Sequence, residues 1–474
     1  MNKNEKPIIV GLDIGTTKVV AIAGRKNNHG KLEILGFGLA DSAGVTHGMV
    51  LNIEQCINSI EMAIANCINS FPDLEIKEVY VGIAGKHIKS LQTRGDRVRT
   101  NTEFEISKED IELLVKDQKQ TYIPAGDQII DIIPQDYTVD STSSIVNPVG
   151  MSGVKIGANF HIITADRNAI RNILRCVQKS GLETQDLVLQ PLASAAAVMN
   201  EEDLEAGVAI VDIGGGTTDM AVFYDGILKH TSVIPYGGVN ITEDIKAGLG
   251  VLKAQAEQMK VNYGTAIADM SNPNAYITIP GLRGMPPKEI SVTNLGHIIE
   301  ARMVEILDHV LHQLKQVGLE RRLYGGIILT GGGAQLTHVK QLTEFVTGLN
   351  TRIGLPNEHL AGGAQSEKLN NPAYSTCIGL ILRGYHDYEN ESMRFVGENG
   401  IRKSQLQEEP IEAVEPEAVV FIAPDPISEP EVPSEPEQKE VKAKKMANIF
   451  AMFKNGIMGL FEEVPDQDLN SMNN

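Results

Sequence analysis

Two short segments of the chain combine the residue types that bind phosphate groups. In VDIGGGTTDM, residues 211–220, three glycines and two threonines stand between two aspartates, directly after an apolar run. Glycine permits positive φ and close approach of the backbone, so several N–H groups can point at the same anionic oxygens, and threonine hydroxyls add donors. An ordinary hairpin turn explains one such segment equally well.

A near copy of this segment, GLDIGTTKVV, stands at residues 11–20, and a second β-like run follows each copy. The same strand, turn and strand therefore occur twice in the chain. Two such turns that face each other would hold a polyphosphate from both sides, and neither matches the GxxxxGK[ST] pattern of P-loop proteins. The duplication favours a nucleotide site over two unrelated hairpins.

Charged residues accompany both turns. Asp13 and Asp212 stand at the ends of the apolar runs. There they are placed to hold a hydrated Mg²⁺, an ion that keeps several water ligands and takes few direct carboxylates. Lys18 can reach a phosphate as a point charge.

A third glycine cluster follows another apolar run, in GGIILTGGGAQLTHV at residues 325–339. Gly331, Gly332 and Gly333 would let a flat base or a ribose lie against the backbone at the start of a helix. This cluster is a weak signal when it is taken alone. As the third member of the set, it completes a predicted nucleotide-binding site.

The elements that must position these clusters alternate between short β-rich runs and longer amphipathic patterns, up to about residue 388. This alternation predicts an α/β fold with partly parallel sheets. The predicted buried strands are residues 8–13, 79–83, 208–213 and 326–330. The predicted helices are residues 53–68, 167–179 and 297–317, the last with a core-forming apolar stripe.

Composition limits the function further. The 474 residues are 42% hydrophobic and 22% charged, which predicts a globular chain of more than one domain. A net charge of −19 argues against general nucleic-acid binding. Four cysteines without a CxxC pair suit a reducing compartment, and the sequence shows neither a signal-peptide pattern nor an 18-residue apolar run. We therefore expect a cytoplasmic protein that does not span a membrane.

With these motifs the chain resembles the superfamily of actin, heat-shock-chaperone and sugar-kinase ATPases, and within it the FtsA family of actin-like bacterial cell-division proteins. NPVGMSG, at residues 147–153, is particularly specific because the wider superfamily does not share it. The matching stretches are EKPIIVGLDIGTTKVVAIAG, GMVLNIEQCINSIEMAI, VYVGIAGKHIKS, NPVGMSGVKI, VDIGGGTTDMAVF, PYGGVNITEDI and ILTGGGAQL.

The resemblance implies an actin-like (ribonuclease H-like) two-domain ATPase fold that encloses ATP and Mg²⁺, with an inserted subdomain called 1C. The implied boundaries are 1–84, 166–200 and 375–390 for subdomain 1A, 85–165 for 1C, 201–239 and 306–374 for 2A, and 240–305 for 2B.

The resemblance also assigns nucleotide contacts. The implied phosphate contacts are Gly15, Thr16, Thr17 and Lys18 in the first turn (residues 15–18) and Gly214, Gly215, Gly216, Thr217 and Thr218 in the second turn (residues 214–218). Glu257 and Lys260 correspond to a helix that contacts ribose and adenine, with an ordinary exposed helical pair as the alternative. Gln190 occupies the position that orients the attacking water. Because an amide is not a strong general base, we expect slow hydrolysis at best, with ATP acting as a conformational switch.

Partners follow from the same resemblance. Subdomain 2B is where relatives receive the C-terminal peptide of the tubulin-like division protein FtsZ. Lys288 and Arg302 are the candidate contacts because a basic surface suits an acidic peptide, and a solvated helix face is the alternative for Arg302. The resemblance further implies self-association into filaments and recruitment of other division proteins.

The C-terminal region changes character. Residues 391–440 are rich in Pro and Glu, which predicts a disordered linker, and residues 463–474 form a polar tail. Residues 441–462 predict an amphipathic helix. Its apolar face, within an arc of about 120°, consists of Met446, Ile449, Phe450, Phe453, Ile457, Leu460 and Phe461. An anionic membrane surface would accept this face and the neighbouring lysines, and the groove of a partner protein is the alternative.

Together with the predicted amphipathic helix, the resemblance implies an ATP-dependent adaptor that polymerises at the cytoplasmic face of the inner membrane, anchors FtsZ filaments there and recruits the division machinery to the division site. Two rival functions use the same nucleotide site. One is a small-molecule kinase, and the other is an actin-like scaffold of the PilM or MreB type.

Overall fold

A computed structural model of the chain describes residues 6–71, 74–281 and 286–390. The predicted linker, the amphipathic helix with its seven apolar residues and the polar tail all lie outside the described residues. Within the described residues, none of the helices has the length and apolar character needed to cross a membrane.

The described residues form strands and helices in alternation. The strands up to residue 189 are β1 Ile9–Ile14, β2 Lys18–Lys26, β3 Leu32–Asp41, β4 Val45–Thr46, β5 Met49–Val50, β6 Glu78–Ile83, β7 Ile88–Val98, β8 Asp127–Val139, β9 Thr142–Ile145, β10 Lys155–Asp166 and β11 Glu183–Leu189. The later strands are β12 Val208–Ile213, β13 Thr218–Tyr224, β14 Ile227–Ile234, β15 Tyr276–Ile279, β16 Lys288–Ser291, β17 Gly326–Thr330 and β18 Thr351–Ile353. The helices are α1 Ile53–Asn69, α2 Lys108–Gln118, α3 Arg167–Lys179, α4 Gln190–Val198, α5 Glu201–Ala206, α6 Gly238–Leu249, α7 Lys253–Tyr263, α8 Val292–Val317, α9 Val339–Thr347, α10 Ala364–Leu369 and α11 Ser375–Asn390.

Two five-stranded sheets repeat one topology. The first has the order β11-β6-β1-β2-β3 and the second has the order β18-β17-β12-β13-β14. In each sheet the central strand pairs antiparallel with the strand after it, β1 with β2 and β12 with β13, and parallel with a later one, β6 or β17. The duplicated sequence motif is therefore part of a duplicated sheet.

Successive side chains of a strand point to opposite faces of the sheet, and both faces of the first sheet are buried. One face packs on α1 and α3, and the other packs on α4 and α11. The core around α4 and α11 also contains Val208 and Ile210 of the second sheet, so these two helices lie between the sheets. The opposite face of the second sheet packs on α6, α7, α8 and α9. We call the first sheet with α1, α3, α4, α11 and the β4–β5 hairpin the first lobe, and the second sheet with α6 to α9 and the β15–β16 pair the second lobe.

An antiparallel sheet with the order β7-β10-β8-β9 is inserted between β6 and α3. It occupies residues 88–166, near the 85–165 predicted for 1C, and α2 closes its core through Leu114. It also contacts the edge strand of the second sheet: Gln135 donates from Nε2 to the carbonyl oxygen of Leu228 at 2.6 Å, and Nε2 of His161 lies 2.9 Å from Oγ1 of Thr231. The insertion therefore touches both lobes.

The predicted elements match the structure closely, with one clear difference. Strands β12 and β17 have the predicted bounds, β1 is shifted by one residue at both ends, and β6 begins one residue earlier than predicted. Helix α8 begins at Val292, five residues before the predicted start at His297. The β-branched residues and Gly296 in VTNLG weakened the helical pattern, but Leu295 and Gly296 are buried and extend the same packed face.

A glycine sets the spacing between α4 and α11. A Cβ atom on Gly379 would come within 1.7 Å of the carbonyl oxygen of Ala193. The two helices therefore approach more closely than any larger residue at this position allows.

We expect Gly379→Ala to lower the free energy of unfolding by about 1–3 kcal/mol, as overpacked cores do. Urea unfolding measures the change. Gly362→Ala is the matched control because a Cβ at Gly362 meets no atom within 4 Å. Equal stability of the two variants would contradict the close approach of α4 and α11.

Candidate functional site

The duplicated turns meet in a cleft between the two lobes. The β1–β2 hairpin carries residues 15–18 and the β12–β13 hairpin carries residues 214–218, so both turns lie at the ends of central strands. The predicted site residues that line the cleft are Asp13, Gly15, Thr16, Thr17, Lys18, Gln190, Asp212, Gly214, Gly215, Gly216, Thr217, Gly331 and Gly332. The fold thus brings together most of the predicted nucleotide contacts from distant parts of the chain.

The two turns face each other at van der Waals distance. A Cβ atom on Gly215 would lie 2.5 Å from Cγ2 of Thr17, and one on Gly216 would lie 2.4 Å from Oγ1 of Thr16. A side chain at either position would clash with a threonine of the opposing turn, so glycine allows this close approach.

The backbone carbonyl oxygens of the second turn are bonded within the protein, whereas three of its N–H groups are available to a ligand. Each carbonyl oxygen of residues 214–217 accepts a hydrogen bond from the protein. In order, the donors are Gly238 N at 2.9 Å, Val239 N at 2.8 Å, His47 Nδ1 at 2.7 Å and Gly214 N at 2.9 Å. The N–H groups of Gly215, Gly216 and Thr217 donate to no group within the part of the chain that the structure describes. Three free donors with all acceptors occupied suit an anionic ligand.

Three buried carboxyl groups lie beside the turns. Burial raises the pKa of Asp13 to about 6, an effect that Lys18 opposes and Asp212 reinforces. Burial also raises the pKa of Asp212, opposed by hydrogen bonds from Ser194 at 2.6 Å and Thr376 at 3.1 Å. The cleft therefore holds more potential negative charge than its single lysine balances.

Asp219 is the third of these carboxyl groups. Burial, reinforced by Asp212, raises its pKa to about 8, although Thr217 donates to its Oδ2 at 2.8 Å. Its Oδ1 is buried and has no hydrogen-bond partner among the described residues. Such an oxygen suits a water ligand of a cation.

Lys18 and Gln190 have defined positions in the cleft. Lys18 donates from Nζ to the carbonyl oxygen of Ala373 at 2.5 Å and lies 4.7 Å from the ring centroid of Tyr374. Burial lowers the pKa of Lys18, and Asp13 is the strongest opposing influence. Gln190, the first residue of α4, donates from Nε2 to Oδ1 of Asp13 at 2.7 Å.

The donor set of the cleft fits Mg²⁺ held through water. Within the described residues, no group of three or more His, Cys, Asp or Glu side chains lies close enough to bind a metal ion directly. Asp13, Asp212 and Asp219 would hold the water ligands of Mg²⁺, and the free N–H groups of the second turn would hold phosphate oxygens. Bound Mg²⁺ would supply charge neutralisation of the phosphates.

Several predicted contacts lie outside the lining of the cleft. Thr218 is buried, and its hydroxyl donates to the carbonyl oxygen of Tyr236 at 2.9 Å. Gly333 packs on Ile213, where a Cβ atom would meet Cγ2 at 2.3 Å. Thr218 and Gly333 therefore support the structure around the cleft and do not line it.

Glu257 and Lys260 lie on α7 and interact with each other. Lys260 donates from Nζ to Oε2 of Glu257 at 2.7 Å and to the carbonyl oxygen of Gly238 at 2.9 Å; the N–H of Gly238 itself holds the second turn. Their contact with ribose or adenine stays a prediction.

The candidate FtsZ contacts are both engaged within the second lobe. Arg302 forms a bidentate ion pair with Asp244, at 2.6 and 3.0 Å, and a further pair with Glu305 at 2.5 Å. Its guanidinium also lies 5.6 Å from the ring centroid of Tyr236. Lys288 donates to the carbonyl oxygen of Leu249. Arg302 is thus an ordered, partly neutralised charge rather than a freely solvated one.

Other residues of the cleft were missed by the sequence analysis. Asp219 is the second aspartate of VDIGGGTTDM and pairs with Asp212 across the hairpin, so its place in that motif was a usable signal. Gly48, Ala84 and Thr376 also line the cleft. Gly48 and Ala84 stand in stretches that match the family, but nothing in the sequence placed them at the cleft, and Thr376 stands in no motif.

Comparison with known proteins identifies the family of the chain. A family model described as "Cell division protein FtsA" matches residues 209–379, and one described as "SHS2 domain inserted in FTSA" matches residues 85–164. Cell division protein FtsA of Pseudomonas aeruginosa is 37% identical over 377 residues, covering 80% of this chain and 89% of the relative. The FtsA protein of Escherichia coli K12 is 35% identical over 393 residues, covering 81% and 92%. The chain belongs to the FtsA family.

A solved structure supports the fold class. The PilM-PilN type IV pilus biogenesis complex contains a chain with a TM-score of 0.58 and 16% identity, covering 79% of this chain and 98% of that one. The predicted actin-like fold with an inserted subdomain is thereby confirmed, and membership of the FtsA family argues against the kinase and PilM-type alternatives.

Asp219→Asn tests the electrostatics of the cleft. Because the pKa of Asp219 is raised from 3.8 to about 8 in the folded protein, the unfolded chain releases this proton at lower pH, and wild-type stability falls as pH rises between these values. We expect the stabilisation by Asp219→Asn, measured by urea unfolding without nucleotide, to be larger at pH 8 than at pH 5. Asp225→Asn, on an exposed turn residue, should show no such change. A pH-independent effect at Asp219 would show that its carboxyl is ionised in the folded protein throughout this range.

Proposed function

We propose that the chain is an ATP-binding, actin-like cell-division protein that anchors FtsZ filaments to the membrane. The observation that carries the nucleotide part is the second turn, which lies against the first turn. Its carbonyl oxygens at residues 214–217 are occupied, and the N–H groups of residues 215–217 find no acceptor among the described residues. This arrangement favours phosphate oxygens over any neutral ligand.

We propose that ATP acts mainly as a switch. Gln190 can orient a water, but its Nε2 is bonded to Asp13 and its amide is no strong base, so hydrolysis is slow. The phosphates would join two turns that belong to different lobes. Nucleotide therefore sets the separation of the lobes, and with it the surface available for self-association.

The FtsZ and membrane parts rest on the family and on the sequence. Members of this family are cell division proteins by name, and the predicted amphipathic helix at 441–462 suits an anionic membrane surface. The ordered guanidinium of Arg302, between Asp244 and Tyr236, would accept an acidic peptide by exchange with Asp244. Such a protein would work at the cytoplasmic face of the inner membrane, with other division proteins recruited there.

Asp212→Asn tests the nucleotide site. We expect its affinity for ATP with Mg²⁺ to fall about tenfold, or ~1.4 kcal/mol, because the variant loses a carboxylate that holds the ion's water ligands. Isothermal titration calorimetry measures the ATP affinity of the wild type and of the variant, once with Mg²⁺ and once with EDTA. The difference in affinity between the two proteins should disappear in EDTA. Equal Mg²⁺-dependent affinities would show that the metal lies elsewhere.

A vesicle sedimentation experiment tests the adaptor function. With anionic vesicles, ATP and FtsZ, we expect the full-length chain to carry FtsZ into the pellet, because one end binds lipid and subdomain 2B binds the FtsZ peptide. A chain truncated after residue 440 should leave both proteins in the supernatant.

The same sedimentation experiment distinguishes the contact with lipid from the contact with FtsZ. Arg302→Gln should sediment with vesicles but leave FtsZ behind, whereas Arg321→Gln, the same change on an exposed arginine after α8, should behave as wild type. Sedimentation of the truncated chain would contradict the membrane helix, and retention of FtsZ by Arg302→Gln would contradict the docking site.

A further inference from the structure

One carbonyl group of the second turn is held from the opposite lobe. Gly214 and Gly215 are held by backbone N–H groups at residues 238–239, next to them in the second lobe. The oxygen of Gly216 instead lies 2.7 Å from Nδ1 of His47. Within the described residues, this is the one hydrogen bond between a first-lobe side chain and the backbone of the second turn.

His47 is placed by a tight hairpin. It stands between β4 and β5 with φ of 47°, and Gly48 follows with φ of 74°. A Cβ atom on Gly48 would lie 2.3 Å from the carbonyl oxygen of Ala84, so this hairpin is pressed against the wall of the cleft. Positive φ is uncommon outside glycine, and His is among the residues that adopt it more readily. Packing and backbone conformation together fix where the imidazole points.

The direction of the hydrogen bond follows from its chemistry. A carbonyl oxygen only accepts, so Nδ1 of His47 carries the proton. In a trans peptide, the C=O and the following N–H point in opposite directions. The bond that draws the oxygen of Gly216 toward His47 therefore turns the N–H of Thr217 to the other side. Without this bond, the flexible glycines would allow the peptide to rotate and present an acceptor to an anionic ligand.

We propose that His47 is a positioning residue for nucleotide binding. Its imidazole holds the Gly216–Thr217 peptide in the orientation that keeps the N–H of Thr217 available to a phosphate oxygen. The inference rests on the proposed function, since it presumes that the cleft binds ATP. It adds a contact from the β4–β5 hairpin, which lies outside both glycine turns.

Two substitutions separate the hydrogen bond from the fold of the hairpin. His47→Asn keeps an N–H donor attached to Cγ, as Nδ1 is, and Asn tolerates positive φ. His47→Gly also tolerates positive φ but lacks a donor. We expect His47→Asn to bind ATP within about twofold of wild type and His47→Gly to bind about two- to tenfold more weakly, the range for one lost hydrogen bond.

Calorimetric titration of full-length proteins with ATP and Mg²⁺ measures the affinities, and thermal unfolding without nucleotide shows whether each variant is folded. Rescue by Asn at equal folded fraction supports the inference. Equal affinity of His47→Gly and wild type, or equal weakening by both substitutions, overturns it while ATP binding stands. Failure of the wild-type chain to bind ATP overturns the proposed function, and the inference with it.

Discussion

The close contact between the two glycine turns is the constraint on which the cleft depends. Gly215 and Gly216 leave no room for a Cβ because the first turn lies against them. The backbone at the contact is ordered by hydrogen bonds to every carbonyl oxygen of residues 214–217. With these acceptors engaged, the remaining backbone polar groups of the second turn are donors, which favour an anionic ligand.

The duplicated sheets explain how the turns are held in place. Each turn joins the central strand of a five-stranded sheet to its antiparallel neighbour, so it is anchored by two paired strands. Helices α4 and α11 lie between the sheets, and Ser194 of α4 and Thr376 of α11 both donate to Asp212 of the second sheet. The same helices that pack the lobes together therefore also position a carboxylate of the site.

Local patterns predicted the strands, the turns and their meeting, because each strand, turn and strand unit is contiguous in sequence. Contacts between distant segments were beyond such patterns. Neither His47 nor Thr376 stands in a motif. Their hydrogen bonds join residues that are 169 and 164 positions apart in the sequence. Arg302 was predicted as a basic surface residue, but the sequence did not reveal that Asp244 lies against it, 58 residues away. Pairings across such separations are set by tertiary packing, which periodicity does not encode.

The electrostatics of the cleft link its fold to its proposed ligand. Burial raises the pKa values of Asp13, Asp212 and Asp219, so the folded protein resists holding three negative charges beside a single lysine. A phosphate group alone would add to this repulsion. A divalent cation reverses it by favouring the ionised carboxylates and the phosphate oxygens together. We therefore propose that the carboxyl cluster and the donor-lined turn are complementary parts of one site, which together would favour the metal–nucleotide complex over either component alone.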